Sequence, residues 1–227
     1  EGAQITIPKK EYERLLQTEK DLQKALLEHS YLAHEIANLK RMLFGKKSER
    51  FAEGTAKAPI VFTGPFNASD PSAGAGNWGG LVISGKAPLN ICDDSVPFDQ
   101  CEDVGEGASG NFGGDQPHDS SGVIKYVRVQ FGGFRINDED ELNGIAFQGV
   151  GDGTVVDYVQ VHANEDDGME FFGGTVNAKH LVLTNIKDDS LDWTHGWNGK
   201  VQYLLAKQDP DSANDKERGI EADNYEL

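Results

Sequence analysis

Residues 158–193 read YVQVHANEDDGMEFFGGTVNAKHLVLTNIKDDSLDW, and two short phrases recur within them at one interval. Tyr158-Val159-Gln160-Val161 returns 22 residues later as His180-Leu181-Val182-Leu183, and Gly168-Met169-Glu170-Phe171 returns 22 residues later as Ser190-Leu191-Asp192-Trp193. The first phrase has a further copy upstream, Tyr126-Val127-Arg128-Val129, and one downstream, Gln202-Tyr203-Leu204-Leu205. The second reaches back to Gly144-Ile145-Ala146-Phe147 and Gly80-Leu81-Val82-Ile83, and forward to Gly219-Ile220-Glu221-Ala222. Units of roughly 20 to 30 residues that keep step in this way are solenoid coils, each too small to cover its own apolar face and therefore stacked on the next.

The coils are β rather than α. Short β-branched and aromatic runs are separated by Gly, Asn and Asp, the pattern of strands and tight turns. The Leu/Asn spacing of a leucine-rich repeat is missing. The period therefore predicts a mainly β fold, a parallel β-helix of about five to seven coils. Val127, Val159 and Leu181 are expected to stack inward, as are Phe147, Phe171 and Trp193.

Composition bounds the partners. Of 227 residues, 21 are Lys or Arg and 38 Asp or Glu, a net charge of −17 that argues against general nucleic-acid binding. Glycine, at 27 residues, shows no three-residue period, so collagen is excluded and a turn-dense fold favoured. No apolar run approaches the roughly 18 residues of a membrane span, and EGAQITIPKK lacks the pattern of a secretory signal. Charge and glycine both change character near residue 50. Ten Lys/Arg and eight Asp/Glu precede residue 51, against eleven and thirty after it, and only Gly2 and Gly45 lie before it. The expected organisation is a helical segment 1–50 and a β-helix 51–227 with a cysteine-containing loop at about 88–120.

In the first segment, residues 8–43 contain no glycine and no proline after Pro8. Leu15, Leu22, Ile36 and Leu43 fall on a seven-residue lattice centred on His29, flanked by Leu26, Leu32 and Leu39. The expectation is an N-terminal α-helix that self-associates through 12–43 or packs on an open end of the β-helix. Its end, LKRMLFGKKSERF, resembles the N-terminal leucine-zipper region of TnpC-type insertion-sequence transposases through Leu43, Phe44, Gly45, Lys46, Lys47, Ser48, Glu49 and Arg50. That family follows its zipper with a cysteine zinc module and metal-holding carboxylates. Here the only cysteines are Cys92 and Cys101, so transposase chemistry does not carry over. What the likeness implies is a fusion of a transposase-derived helix to an unrelated domain.

The remainder, through APIVFT, GNWGGLVISGKAPLN, GVIKYVRVQFGG, ELNGIAFQGVGDGT, DDGMEFFGGT, DSLDWTHGW and RGIEADN, resembles glycine-rich bacterial surface proteins and lipoproteins. The resemblance implies export, to the medium or the outer surface, and a pectin-lyase-like right-handed β-helix.

The repeat also stacks acids. Asp166-Asp167 and Asp188-Asp189 are 22 residues apart, as are Glu170 and Asp192, and Glu221 holds the matching place in the next phrase. Carboxylates one coil apart would lie roughly 4.8 Å from one another and repel. Calcium, which takes six to eight oxygen ligands in irregular geometry, is the expected relief, with Asn164, Glu165, Asp209, Asp211, Asn214 and Asp215 as further donors; the alternative is that these acids are solvated turn residues that cap backbone amides. Trp193, His195 and Trp197 in WTHGW suggest a sugar platform, and the paired acids are compatible with glycosidase chemistry. Gly74, Gly76 and Gly79 match GxGxxG but lead into a strand-like run, which excludes a phosphate cradle. Cys92 and Cys101 are expected to form a disulfide in an exported protein and to stay reduced in the cytosol. His118, His162 and His180 lack partners at metal spacing. The expected function is a non-catalytic secreted or cell-surface module that binds a glycan or another surface component. Its alternatives are a polysaccharide-active enzyme on the same scaffold and a transposase-derived nucleic-acid-associated fragment.

Overall fold

The chain runs through β1 (Ile60–Thr63), β2 (Leu81–Ser84), β3 (Asp103–Val104), β4 (Asn111–Phe112), β5 (Val123–Gln130), β6 (Ile145–Gln148), β7 (Val155–His162), β8 (Met169–Phe172), β9 (Asn177–Thr184), β10 (Leu191–Thr194) and β11 (Val201–Lys207). These elements come from a computed structural model, which describes residues 10, 14, 17, 18, 20, 54–65, 74–93, 95–137, 141–208 and 218–223. β1, β5, β7, β9 and β11 form one parallel sheet in that order, and β2, β6, β8 and β10 form a second. Successive strands alternate between the two sheets, so each pair is one coil, and the 22-residue interval is one turn of the solenoid. β3 and β4 pair antiparallel inside an excursion, residues 85–122, between β2 and β5.

The core follows from alternation. In β5, Ile124, Val127 and Val129 are buried, and in β7 Val156, Val159 and Val161 take the same places. They meet Ile145, Phe147, Met169 and Phe171 from the other sheet. Each fully buried aliphatic or aromatic side chain of this kind contributes about 1.5–3 kcal/mol. Phe147 stacks on Phe171 at 5.0 Å, and Phe171 on Trp197 at 4.6 Å. This corrects the expected ladder: Trp193 pairs with Phe171 in backbone register, but the ring that continues the stack belongs to Trp197.

Registry brings a second correction. The phrases align Leu181 with Tyr203, whereas the strands pair Leu181 with Leu204, a 23-residue step. A slip of one residue reverses the face of every side chain, and the observed register keeps Leu204 against the core and leaves Tyr203 outside. The physical device is a left-handed residue in each long strand. Tyr126, Tyr158, His180 and Tyr203 all have φ between 52° and 63°, which places two consecutive side chains outward before alternation resumes. The four rings then stack along the outer face at 4.9, 4.3 and 4.8 Å. Left-handed backbone costs about 1–2 kcal/mol for a residue with a Cβ, and each ring pair returns about 0.5–1.5 kcal/mol. His180 is also anchored by its Nδ1, 2.8 Å from Asp157 Oδ1.

Two compact units divide the chain, Glu1–Gly45 and Lys46–Leu227. In the first, the five described residues have helical backbone, and the Thr18 hydroxyl donates to the Arg14 carbonyl at 3.0 Å. They do not define an α-helix; the rest of the expected helical segment, with its seam from Leu15 to Leu43, lies outside the described residues. Among the described residues no helix is long and apolar enough to cross a membrane.

Candidate cation-binding site

The acids sit on and just before the strands of the four-stranded sheet. Ile145, Met169 and Leu191 are in register, and Leu191 bridges to Ile220 in the following coil. Two residues before each, Asn143, Asp167, Asp189 and Arg218 therefore hold equivalent places. Asp167 Oδ1 accepts the Asp189 N–H at 2.9 Å, and Asp189 Oδ1 accepts the Arg218 N–H at 2.7 Å. Each carboxylate thus ties down the backbone of the next coil. One residue after the register position, Glu170 pairs with Asp192, and Glu221 follows as its N–H donates to the Leu191 carbonyl at 3.0 Å.

Two triplets result, Asp166/Asp167/Asp188 and Asp167/Glu170/Asp192, each with ligand oxygens within 4.8 Å of one another. Asp167, Glu170 and Asp189 are buried, at 8, 9 and 2 % exposure. Burial, reinforced by Asp166, pushes Asp167 up to about 9, while burial and then Glu141 and Asp188 push Asp166 up to about 7. Asp189 is raised to about 7 by burial and by the Glu221 carboxyl. Glu170 is driven well above the usual range by burial, then by Glu106, Asp167 and Asp192; burial raises Asp192 as well. At neutral pH these groups must share protons or a cation.

Asn143, 2 % exposed, donates its side-chain amide to Glu170 Oε2 at 2.7 Å and to Glu106 Oε2 at 3.0 Å. Its carbonyl oxygen has no hydrogen-bond donor, and neither has the fully buried Ser190 hydroxyl an identified partner. An all-oxygen donor set with an orphaned buried carbonyl fits a hard cation such as calcium better than zinc or copper. Asn143 and Glu106 escaped sequence reading. Asn143 breaks the run of acids at its repeat position, and Glu106 lies in the excursion, where no phrase recurs.

The other expected residues are placed as follows. Asn164 is buried and donates to the Asp167 carbonyl at 2.7 Å, while Glu165 pairs with Lys187 at 2.7 Å. Asp209, Asp211, Asn214 and Asp215 lie outside the described residues. Trp197 donates its indole N–H to the Val176 carbonyl at 3.1 Å, and Trp193 packs half-buried against the core. His195 Nε2 lies 3.0 Å from Asp103 Oδ2, with the ring edge-on to Phe172. All three side chains are thus engaged by the fold. Cys92 and Cys101 form a disulfide, with Cα atoms 5.8 Å apart. The Gly74–Gly79 stretch leads into β2, a strand, as a phosphate cradle would not. His118 meets Asp152 and His162 meets Thr184, each at 2.8 Å.

No curated protein and no solved structure matches this chain. The family model for the pectate-lyase like beta helix domain matches residues 33–227, a stretch that begins inside the leucine-rich segment. Parallel strands alternating between two sheets around one ladder core agree with that match, and the chain belongs to the pectate-lyase-like beta helix domain family.

Proposed function

We propose that residues 46–227 form a non-catalytic binding or structural module of an exported protein, wound right-handed as nearly all parallel crossovers are, and stabilised by calcium held in the carboxylate stack. The observation that carries this reading is the Asp167/Glu170/Asp192 triplet, two of its members buried, with the orphaned Asn143 carbonyl on the amide that touches Glu170. The Cys92–Cys101 disulfide supports an oxidising compartment, and the resemblance to surface proteins supports a surface or glycan ligand. Thermal melts with calcium and with chelator test the metal: a calcium-dependent rise is expected, and identical melts refute it.

A second reading, a polysaccharide-active enzyme, is favoured by Asp166 alone, a half-buried acid raised to about 7 beside Asp188, the range in which a carboxyl can donate a proton. Release of reducing sugar that is lost in Asp166→Asn would establish it in place of the first. The leucine-seam segment is read as a pairing helix, with its transposase-like string marking a fusion; light scattering of the chain with and without residues 1–45 tests the pairing, and an unchanged monomer mass would refute it.

A further inference from the structure

The carboxylate stack is not closed by the solenoid alone. The excursion folds over the outer face of the four-stranded sheet, where Leu89, Cys101 and Phe112 cluster with Ala146 and Phe172. Glu106 heads a short 3-10 turn, Glu106–Ala108, between β3 and β4. That turn is pinned on both sides. The Gly105 N–H donates to the Gly110 carbonyl at 3.0 Å, and the Ser109 hydroxyl donates to Gln148 Oε1 at 3.3 Å. Gly105 approaches Gln148 so closely that a Cβ there would collide with the side-chain amide. The consequence is that Glu106 and Glu170, distant in sequence and on different elements, converge on the single Asn143 amide nitrogen.

Two carboxylates converging on one amide, beside a carbonyl oxygen that has no donor and is 2 % exposed, is an arrangement that a cation completes. We infer that the excursion is a clasp: Glu106, with Asn143, completes the shell of the cation held by Glu170 and Asp192, and the Cys92–Cys101 disulfide, five residues upstream, tethers Glu106 in place. This rests on the calcium reading above but assigns ligands outside the repeat and makes cation affinity depend on the redox state of the excursion.

Calorimetric titration of the full chain with calcium chloride, at about pH 7.5, tests it. Glu106→Gln is expected to weaken calcium binding about tenfold or more while its far-UV circular dichroism stays that of the parent chain. Asp99→Asn, an exposed change on the same excursion, should bind as the parent does. Dithiothreitol should weaken the parent severalfold and Glu106→Gln much less. Parent-like affinity in Glu106→Gln overturns the clasp while leaving the calcium reading standing, and undiminished affinity in the reduced parent overturns the tether. Absence of any calcium heat or melting shift in the parent overturns both readings.

Discussion

The ring column Tyr126–Tyr158–His180–Tyr203 and the carboxylate column Glu170–Asp192–Glu221 obey one geometry, the coil-to-coil step of a parallel solenoid. Their energetics have opposite signs. Rings at 4.3–4.9 Å attract, and the attraction offsets the strained backbone beneath them. Carboxylates at similar spacing repel, and burial of Glu170 and Asp167 removes the water that would screen them. A repeat that duplicates side chains therefore amplifies whatever the side chain does to its own kind, so a column of acids persists only with a proton or a cation between its members.

The comparison breaks first in the core, where Phe147 and Phe171 are fully enclosed. Phe171→Ala removes the middle ring between Phe147 and Trp197 and should cost about 3–5 kcal/mol, read by urea unfolding; a loss below about 1 kcal/mol would mean that the stack is not the core of the coil. The acidic column should respond in the other direction. Glu170→Gln, without calcium, should become more stabilising from pH 5 to pH 8, because burial and then the neighbouring acids raise the native carboxyl well above its usual range and so oppose its ionisation as pH rises. Destabilisation at both pH values would contradict the account. The smallest effect concerns the outer rings. His180→Ala forfeits two stacking contacts and the bond to Asp157 but keeps the left-handed backbone, whereas His180→Gly relieves it. The glycine variant should be the more stable of the two by about 1 kcal/mol; the reverse order would show that the bulge is unstrained.

The coil was legible because Ile145, Met169 and Leu191 occur at intervals that their register reproduces. What failed was local. Tyr203 reads like an inward strand residue until the left-handed bulge is known, and a bulge leaves no trace in apolar spacing. Trp193 keeps its register, yet Trp197 supplies the stacking ring, because the turn after β10 folds back over the core. The acids of the site were visible through their 22-residue interval; Asn143 and Glu106 were not, since one is a neutral substitution in the column and the other arrives from an excursion of irregular length.

The cation claim has a pH signature. Asp166 and Asp189 are raised to about 7 and Asp167 to about 9, so the folded chain holds more protons at neutral pH than the unfolded one. Stability from these groups is therefore fully present below about pH 4 and is lost as pH rises through 7 to 9. Thermal melts in chelator and in calcium, taken near pH 5 and near pH 8, test this most directly. The account predicts that the midpoint in chelator falls between the two pH values and that calcium restores it near pH 8 while doing little near pH 5. Melts that are indifferent to calcium near pH 8, or a chelated protein more stable there than near pH 5, would contradict it.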